Sequence, residues 1–187
     1  LVTGHTGFSG GWLSLWLWGS LTLFINFNLG STTKPNLFES IGLKNKIESH
    51  IIGDVIDHKR LTSVFEKYQP AIVFHLAAQP LVRLSYKEPT LTYETNVTGI
   101  VNVLEAVRKT KSVKVCIVIT SDKCYENKEW IFGYREIDPM GGYDPYSSSK
   151  GCAELITSAY RRSFFNPEEY GKTRTVALSS VRAGNMI

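Results

Sequence analysis

The sequence has few cysteines, and their number and spacing argue against two classes of site. Cys116, Cys124 and Cys152 are the three cysteines among 187 residues, and no two of them form a Cys-x-x-Cys pair. An odd set without that spacing argues against a disulfide framework or a zinc site, and it favours reduced thiols in a cytoplasmic protein. The histidines show no metal-ligand spacing either, so we expect no metal ion.

Charge is absent from the start of the chain, because residues 1–33 contain no Asp, Glu, Lys or Arg. Residues 12–29 are largely apolar, and such a run is nearly long enough to span a bilayer. A buried helix followed by a buried strand is the favoured interpretation, since Gly19-Ser20 divides the run and Asn26 and Asn28 lie near its end. A membrane segment is the less favoured alternative.

Basic residues are not clustered, although the net charge is +4. Scattered Lys and Arg argue against a nucleic-acid-binding surface and favour a small anionic ligand. With 43% hydrophobic and 20% charged residues, the composition is that of a globular protein. We therefore expect a small-molecule substrate, no nucleic acid and no membrane.

Apolar runs predict alternating strands and helices. Candidate strands lie at 1–3, 22–28, 49–52, 71–76, 114–120 and 174–181. Helical patterns lie at 8–18, 58–68, 89–109 and 143–165. The strands lack polar alternation, as expected of strands that are covered by helices on both faces. This order predicts an α/β fold, a Rossmann-like doubly wound parallel sheet with its ligand crevice at the carboxyl ends of the strands.

Three motifs, each weak alone, follow the predicted strands in an order that indicates a nicotinamide enzyme. They are the run Gly4-His5-Thr6-Gly7-Phe8-Ser9-Gly10, the triplet Ser121-Asp122-Lys123, and the pair Tyr146 and Lys150. The glycines suit a backbone that passes close to a pyrophosphate at a helix N-terminus. Tyr146 and Lys150 stand one helical turn apart on the same face, which suits removal of a proton from a carbinol.

With these motifs the chain resembles the extended short-chain dehydrogenase/reductase family, and within it the sugar-nucleotide 4,6-dehydratases. The resemblance is also carried by Asp54 and by the segments 75–83, 120–125, 134–136 and 139–146. It implies NAD as cofactor, CDP-glucose as substrate, a homo-oligomer at full length, and a place in O-antigen sugar metabolism. Dehydratases of dTDP- and GDP-sugars are similar more loosely, since they commonly have Thr-Asp-Glu or Ser-x-Glu in place of Ser121-Asp122-Lys123.

The resemblance implies two sets of binding residues. The cofactor-binding set is Gly4, Thr6, Gly7, Phe8, Gly10, Asp54, Val55, Leu76, Ala77, Ala78, Tyr146 and Lys150. The substrate-binding set is Gln79, Arg83 and Asn185, and Arg182 with Asn185 resembles the start of the family's sugar-nucleotide phosphate site. Gly30 is a departure, because the family usually has an acidic residue there that holds the adenosine ribose. The preference for NAD over NADP therefore stays open.

Elimination across C5 and C6 of a hexose needs an acidic hydrogen at C5, which a C4 ketone provides, so the sugar must be oxidised first. In the roles that the resemblance implies, Tyr146 takes the C4 hydroxyl proton while the charge of Lys150 and of the nicotinamide favours the phenolate. Ser121 hydrogen-bonds the C4 oxygen and Asp122 protonates the leaving C6 hydroxyl. Lys123 is the base at C5, or it orients the sugar or a water. Hydride then returns to C6.

Two other functions stay open. One is a different sugar-nucleotide enzyme of the same fold, a 4-epimerase or a dTDP-glucose dehydratase, although an epimerase needs no acid and base such as Asp122 and Lys123. The other is a cofactor-binding fragment without turnover, which Gly30 favours. Because only Leu1-Val2-Thr3 precedes the glycine run, we expect residues 1–187 to be an NAD-binding domain that lacks the start of its first strand and most of a substrate domain. Alone, it should be catalytically inactive.

Four aromatic residues and a histidine have structural interpretations. His75 lies inside a predicted buried strand and is interpreted as a core histidine with a hydrogen-bond partner. Trp12, Trp16 and Trp18 are interpreted as packing residues of the first helix. Trp130 is compatible with either packing or contact with a sugar.

Overall fold

The computed structural model describes residues 1–20, 25–30, 34–172 and 176–184. Its strands are β1 (Val2–Thr3), β2 (Ile25–Asn28), β3 (Ser49–Ile52), β4 (Ile72–His75), β5 (Val115–Ser121) and β6 (Ala177–Ala183). Within the described ranges these six form one parallel sheet in the order β3-β2-β1-β4-β5-β6. The predicted Rossmann-like α/β fold is confirmed. Strand order reverses between β1 and β4, which is where such sheets open a crevice at their carboxyl ends.

The helices are α1 (Phe8–Gly19), α2 (Leu37–Ser40), α3 (His58–Tyr68), α4 (Val82–Lys87), α5 (Pro89–Tyr93), α6 (Gly99–Lys109) and α7 (Pro145–Ser163). The strand at 49–52 and the helix at 58–68 have the predicted bounds. The short helices α2 and α4 were not predicted, because four to six residues are too few for a periodic pattern to show. The predicted strand residues 22–24, 174 and 175 lie outside the described residues.

Two predicted helices differ from the structure in instructive ways. The helix predicted over 143–165 begins at Pro145, because the Asp144 carboxylate accepts a hydrogen bond from the Ser147 amide at 3.0 Å and caps the helix. The helix predicted over 89–109 is not uniform, since a π-helical segment, Glu94–Thr98, joins α5 to α6. Such wide turns are rare and are frequent at functional sites.

The core lies between the sheet and helices α3, α6 and α7. Helix α6 buries the stripe Ile100, Val103, Leu104 and Val107, whose spacing of three and four residues places them on one face. They pack with Leu61 and Phe65 of α3 and with Val73, Cys116 and Val118 of the sheet. Coverage of both sheet faces was predicted and is only partial: Val73 on β4 is fully buried, whereas its neighbour Ile72 is 46% exposed.

Helix α1 corrects the interpretation of the tryptophans. Trp12, Trp16 and Trp18 are 48%, 73% and 47% exposed, so they are not core packing residues. The side of α1 that faces the protein carries Gly10, Gly11 and Ser14, and these small residues let the helix approach closely. Trp130 is 44% exposed and packs on Tyr134 with ring centroids 5.6 Å apart. Among the described residues, no helix combines the length and the apolar character needed to cross a bilayer.

Candidate active site

The glycine run forms a tight turn between β1 and α1. Gly4 has a φ of +81°, and a Cβ there would lie 2.6 Å from the Ala77 nitrogen at the end of β4. A Cβ on Gly10 would lie 2.3 Å from the Gly4 carbonyl oxygen. Gly7 is the N-cap of α1 and makes no side-chain cap bond. Packing therefore requires two of the three glycines, and the positive end of α1 faces the mouth of the turn, as an anionic pyrophosphate requires.

Two side chains of this turn, Thr6 and His5, tie it to the neighbouring strands. The Thr6 hydroxyl donates to the Leu29 carbonyl at 3.3 Å and accepts a hydrogen bond from the Asn28 amide. The Nε2 of His5 lies 2.8 Å from Nδ1 of His50 on β3. The two histidines are far apart in sequence, and only the parallel pairing of β3, β2 and β1 brings them together. In the described ranges, no three His, Cys, Asp or Glu side chains form a group that could hold a metal ion.

The other predicted cofactor residues lie at the same edge of the sheet. Asp54 follows β3, is half-buried, and accepts a hydrogen bond from the Ile56 amide at 3.1 Å, while Val55 is buried. Ala77 is 9% exposed and contacts the turn at Gly4. Leu76 and Ala78 are half-buried beside it, and Phe8 is 55% exposed. At Gly30 nothing lies within 4 Å of where a Cβ would stand, so a side chain fits at the position where the resemblance expects a carboxylate.

Tyr146 and Lys150 lie together on the buried face of α7. Their exposed fractions are 9% and 8%, and Lys150 Nζ is 5.9 Å from the centroid of the Tyr146 ring. Ser121, at the end of β5, is close enough to Tyr146 to oppose the rise of its pKa. The Ser121 hydroxyl also lies 2.9 Å from Asp122 Oδ1. Four of the five predicted catalytic residues are thus brought together, and Lys123, which is exposed, directly follows Asp122 in the chain.

Electrostatics at this site differ from the expected activation of the phenol. Burial raises the pKa of Tyr146 above its ordinary value of 10.0; the Ser121 hydroxyl opposes this rise, and Asp122 and Asp144 raise the pKa further by smaller amounts. Burial lowers the pKa of Lys150 to about 8. Lys150 is not among the groups that shift the pKa of Tyr146 here, and the expectation that its charge and that of the nicotinamide together favour the phenolate stays a prediction. Burial of the phenol and the nearby carboxylates of Asp122 and Asp144 together keep the proton on Tyr146.

The predicted substrate residues have different surroundings. Gln79 is 7% exposed, and its side-chain amide bonds Leu81 and Thr92, so it serves the interior of the protein. Arg83 is exposed on α4. Asn185 lies outside the described residues.

Asn96, in the π-helical segment, was not predicted and connects two parts of the site. Its side chain accepts a hydrogen bond from the Gln79 amide at 2.8 Å and donates to the Gln79 carbonyl at 3.1 Å and to the Ser149 hydroxyl at 2.9 Å. Ser149 neighbours Lys150 on α7, so Asn96 fixes that helix against the segment that follows β4. A polar residue inside an otherwise helical apolar pattern is the only signal of it in the sequence.

Arg182 makes contacts within the protein that the resemblance did not imply. Its guanidinium donates to the Glu154 carboxylate at 3.0 Å, to the Tyr125 hydroxyl at 2.6 Å and to the Glu136 carbonyl at 3.0 Å. These three hydrogen bonds of the guanidinium therefore all go to acceptors within the protein. A cavity of about 1080 Å³ adjoins this group; Glu154 and Arg182 line it, whereas Tyr146 and Lys150 do not.

Comparison with known proteins places this geometry in a family. A profile described as GDP-mannose 4,6 dehydratase matches residues 1–171. CDP-glucose 4,6-dehydratase of Salmonella typhimurium is 56% identical over 186 residues, which is 100% of this chain and 51% of that protein. The chain thus spans about half the length of that relative.

Two solved structures share the fold at similar identity. UDP-glucose 4-epimerase from Brucella ovis, in complex with NAD, has a TM-score of 0.74 and 26% identity over 87% of this chain and 47% of its own. UDP-glucose 4-epimerase from Thermotoga maritima, with UDP-glucose, has a TM-score of 0.77 and 26% identity over 87% of this chain and 51% of its own. Since the family profile matches most of the sequence and the fold agrees, the chain belongs to the GDP-mannose 4,6-dehydratase family.

Proposed function

We propose that this chain carries the cofactor-binding and proton-transfer part of an NAD-dependent 4,6-dehydratase that converts CDP-glucose to CDP-4-keto-6-deoxyglucose. The observation that carries the proposal is the meeting of Tyr146 and Lys150 on α7 with Ser121 and Asp122 at the end of β5. The 56% identity to CDP-glucose 4,6-dehydratase supports the choice of sugar nucleotide.

The glycine turn supports NAD as the cofactor. Neither Gly4 nor Gly10 can carry a Cβ, and the uncapped end of α1 would receive the pyrophosphate at Gly7. Asp54 and Val55 would contact the adenine, and the small Ala77 and Ala78 leave room beside β4. Bound NAD would accept a hydride from C4 of the hexose and return it to C6. The Brucella ovis epimerase, solved with NAD, supports this assignment.

The residues of this chain would supply the proton transfers. Tyr146 would accept the C4 hydroxyl proton, and the Ser121 hydroxyl would hold the C4 oxygen in place. Asp122 is exposed to the crevice side of β5 and could donate a proton to the leaving C6 hydroxyl. Lys123 would act at C5, as the base or by orienting the sugar. Because burial raises the pKa of Tyr146, the phenol needs added positive charge beside it to become a base at neutral pH.

A second candidate is a sugar-nucleotide 4-epimerase, which the two solved epimerases favour. Tyr146, Lys150 and Ser121 would serve an epimerase equally well. An epimerase has no elimination step, however, and Asp122 with Lys123 would then have no chemical task. This pair makes the dehydratase the better supported function.

Whole-protein activity is best tested in a hybrid protein in which this chain replaces the matched region of the Salmonella typhimurium relative. The hybrid would be incubated with NAD and, separately, with CDP-, dTDP-, GDP- and UDP-glucose, and products would be followed by mass spectrometry. Loss of one water from CDP-glucose with a 4-keto product supports the proposal. An isomer without loss of water indicates an epimerase. Loss of water from dTDP-glucose alone indicates that the substrate is dTDP-glucose and not CDP-glucose.

The chain alone should behave differently. We propose that residues 1–187 form an NAD-binding domain, and that they bind NADH but do not turn over CDP-glucose, because the relative is about twice as long. A titration of NADH fluorescence and the same product assay test both statements; 4-keto sugar formed by the chain alone would contradict the second. We further propose a cytoplasmic homo-oligomer that serves O-antigen sugar metabolism, and light scattering of the hybrid checks the assembly.

A further inference from the structure

One partly buried ion pair holds both ends of the segment that contains Ser121, Asp122 and Lys123. Upstream, the Thr120 hydroxyl donates to Glu154 Oε1. Downstream, the Tyr125 hydroxyl accepts a hydrogen bond from Arg182 Nη1 at 2.6 Å. Glu154 Oε2 and Arg182 Nη2 are 3.0 Å apart. The two charged residues therefore bracket the triplet between residues 120 and 125.

Glu154 connects this bracket to the helix of Tyr146. It stands four residues after Lys150 and eight after Tyr146, so the three side chains share one face of α7. Its side chain is 6% exposed, and its carboxylate also accepts a hydrogen bond from the Ser180 hydroxyl at 3.0 Å. Burial alone would raise the pKa of Glu154, but hydrogen bonds from Arg182 and Thr120 outweigh it and hold the pKa below its usual value. A buried carboxylate with this many donors has a fixed position.

Arg182 fixes the other end of the bracket through more than one contact. Its guanidinium carbon lies 5.0 Å from the centroid of the Tyr125 ring, while one nitrogen reaches the Tyr125 hydroxyl. The same side chain donates to the Glu136 carbonyl at 3.0 Å. The Tyr125 ring is stacked on Tyr134 at 5.1 Å. Movement of Tyr125 relative to α7 would break several of these contacts together.

We infer that Glu154 and Arg182 are positioning residues that set the placement of Asp122 and Lys123 relative to Tyr146. The inference rests on the proposed function, in which one hexose must meet Tyr146 at C4, Lys123 at C5 and Asp122 at C6. Oxidation at C4 needs Tyr146, which α7 itself carries, so it depends little on the ion pair. Elimination depends on it, because a misplacement of about 1 Å can cost roughly a hundredfold in rate.

The chain contains a matched control for this pair. Glu105 accepts hydrogen bonds from Arg108 at 2.7 Å and from the Tyr160 hydroxyl at 3.0 Å, so, like Glu154, it bonds one arginine and a side-chain hydroxyl. Tyr160 lies on α7, but this group is more exposed and makes no contact with the triplet among the described contacts. Glu105→Gln therefore removes a carboxylate that joins an arginine and a tyrosine without disturbing the bracket.

The test compares Glu154→Gln, Arg182→Lys, Tyr125→Phe and Glu105→Gln in the hybrid protein under single-turnover conditions. We expect Glu154→Gln to slow elimination roughly tenfold or more while C4 oxidation stays within about twofold, so that NADH absorbance accumulates. Tyr125→Phe, a milder change that keeps the ring, should also slow elimination. Arg182→Lys keeps the positive charge and should retain part of the elimination rate. Equal losses in both steps, an equal effect of Glu105→Gln, or unchanged elimination in both Glu154→Gln and Tyr125→Phe would overturn the inference.

Amide hydrogen exchange on the 187-residue chain separates failure of this inference from failure of the proposed function. Glu154→Gln and Tyr125→Phe should speed exchange at residues 122–125 roughly tenfold relative to Glu105→Gln, with α3 unchanged as an internal reference. If the unmodified hybrid forms no 4-keto sugar, the proposed function fails, and exchange alone decides whether the pair positions the triplet. Exchange at 122–125 that equals the control would overturn the positioning role in either case.

Discussion

The Thr3 hydroxyl joins β1 to β4 through His75, with 2.8 Å between Thr3 Oγ1 and His75 Nδ1. The same oxygen accepts a hydrogen bond from the Ala77 amide at 3.2 Å. The hydroxyl proton is satisfied when it points at Nδ1, which gives a neutral imidazole with its proton on Nε2. Burial, with a smaller contribution from Lys150, lowers the pKa of His75 to about 3. His75 is thus confirmed as a core histidine with a partner.

Stability should fall in mild acid because of His75 and His5. Burial also lowers the pKa of His5 to about 3, against an ordinary value of 6.5. The unfolded chain takes up protons below pH 6.5 and the folded protein does not, so stability is full above that pH and is lost as pH falls toward 3. At pH 5 each histidine should cost about 2 kcal/mol of unfolding free energy.

Urea unfolding at pH 7 and pH 5 measures this loss. His75→Asn, which keeps an acceptor for Thr3, should reduce the difference between the two pH values by about one histidine's share. His58→Asn, at an exposed position on α3, is the control and should leave the difference unchanged. Equal differences in the His75→Asn variant and the unmodified chain would show that His75 is not the group responsible.

Gly30→Asp should tighten NADH binding. The position has open space and lies two residues beyond β2, where the family usually holds the adenosine ribose with a carboxylate. We expect about tenfold tighter NADH binding, with NADPH disfavoured by charge repulsion of its 2′-phosphate. Fluorescence titration of both cofactors checks this. Gly30→Asn is the uncharged control, and equal tightening by it would assign the gain to size and not to charge.

Tyr146→Phe and Asp122→Asn should separate oxidation from elimination in the hybrid protein. Without the Tyr146 hydroxyl, no group accepts the C4 proton, and the NADH signal should be lost. Asp122→Asn should still allow oxidation but slow loss of the C6 hydroxyl roughly a hundredfold, as general acid catalysis predicts. Stopped-flow absorbance of NADH distinguishes the two. Loss of the signal in both variants would mean that Asp122 serves binding or structure.

Gly10→Ala should destabilise the fold, whereas Gly19→Ala should not. The new Cβ of Ala at position 10 would lie 2.3 Å from a backbone oxygen that cannot move away, so we expect a loss of about 1 to 3 kcal/mol or more. At Gly19, the last residue of α1, nothing lies within 4 Å, and the change should stay below about 1 kcal/mol. Urea unfolding of both variants checks this. Equal stability would contradict the close approach of α1 to the turn.

Sequence patterns predicted those helices and strands whose ends depend on residues nearby in the chain. Helix α3 was predicted at both ends because its apolar spacing is regular and Asp57 caps it, accepting a hydrogen bond from the Arg60 amide at 3.0 Å. Orientation of α1 was not predictable in the same way. That helix is apolar on every side, so no periodicity reveals that Gly10 and Gly11, and not the tryptophans, face the protein.

Long-range partners explain what else the sequence analysis missed. Glu154 acquires its role from Thr120 and Arg182, 34 and 28 residues away, and no local pattern links them. The raised pKa of Tyr146 likewise comes mainly from burial, which only the packing of α7 against β5 establishes. Motifs predicted which candidate catalytic residues lie near one another, but not the burial that shifts their pKa values.

Because of the π-helical segment Glu94–Thr98, the number of residues between α5 and α6 matters independently of which residues they are. Each residue turns a helix by about 100°. Deleting one residue from the segment would turn its wide turn into a regular helical turn, and it would rotate α5 relative to α6. Asn96 would then turn away from Gln79 and Ser149 although every side chain of the network was still present. Related sequences should accordingly carry other residues at Thr95 or Val97 more often than they lack one residue of this segment.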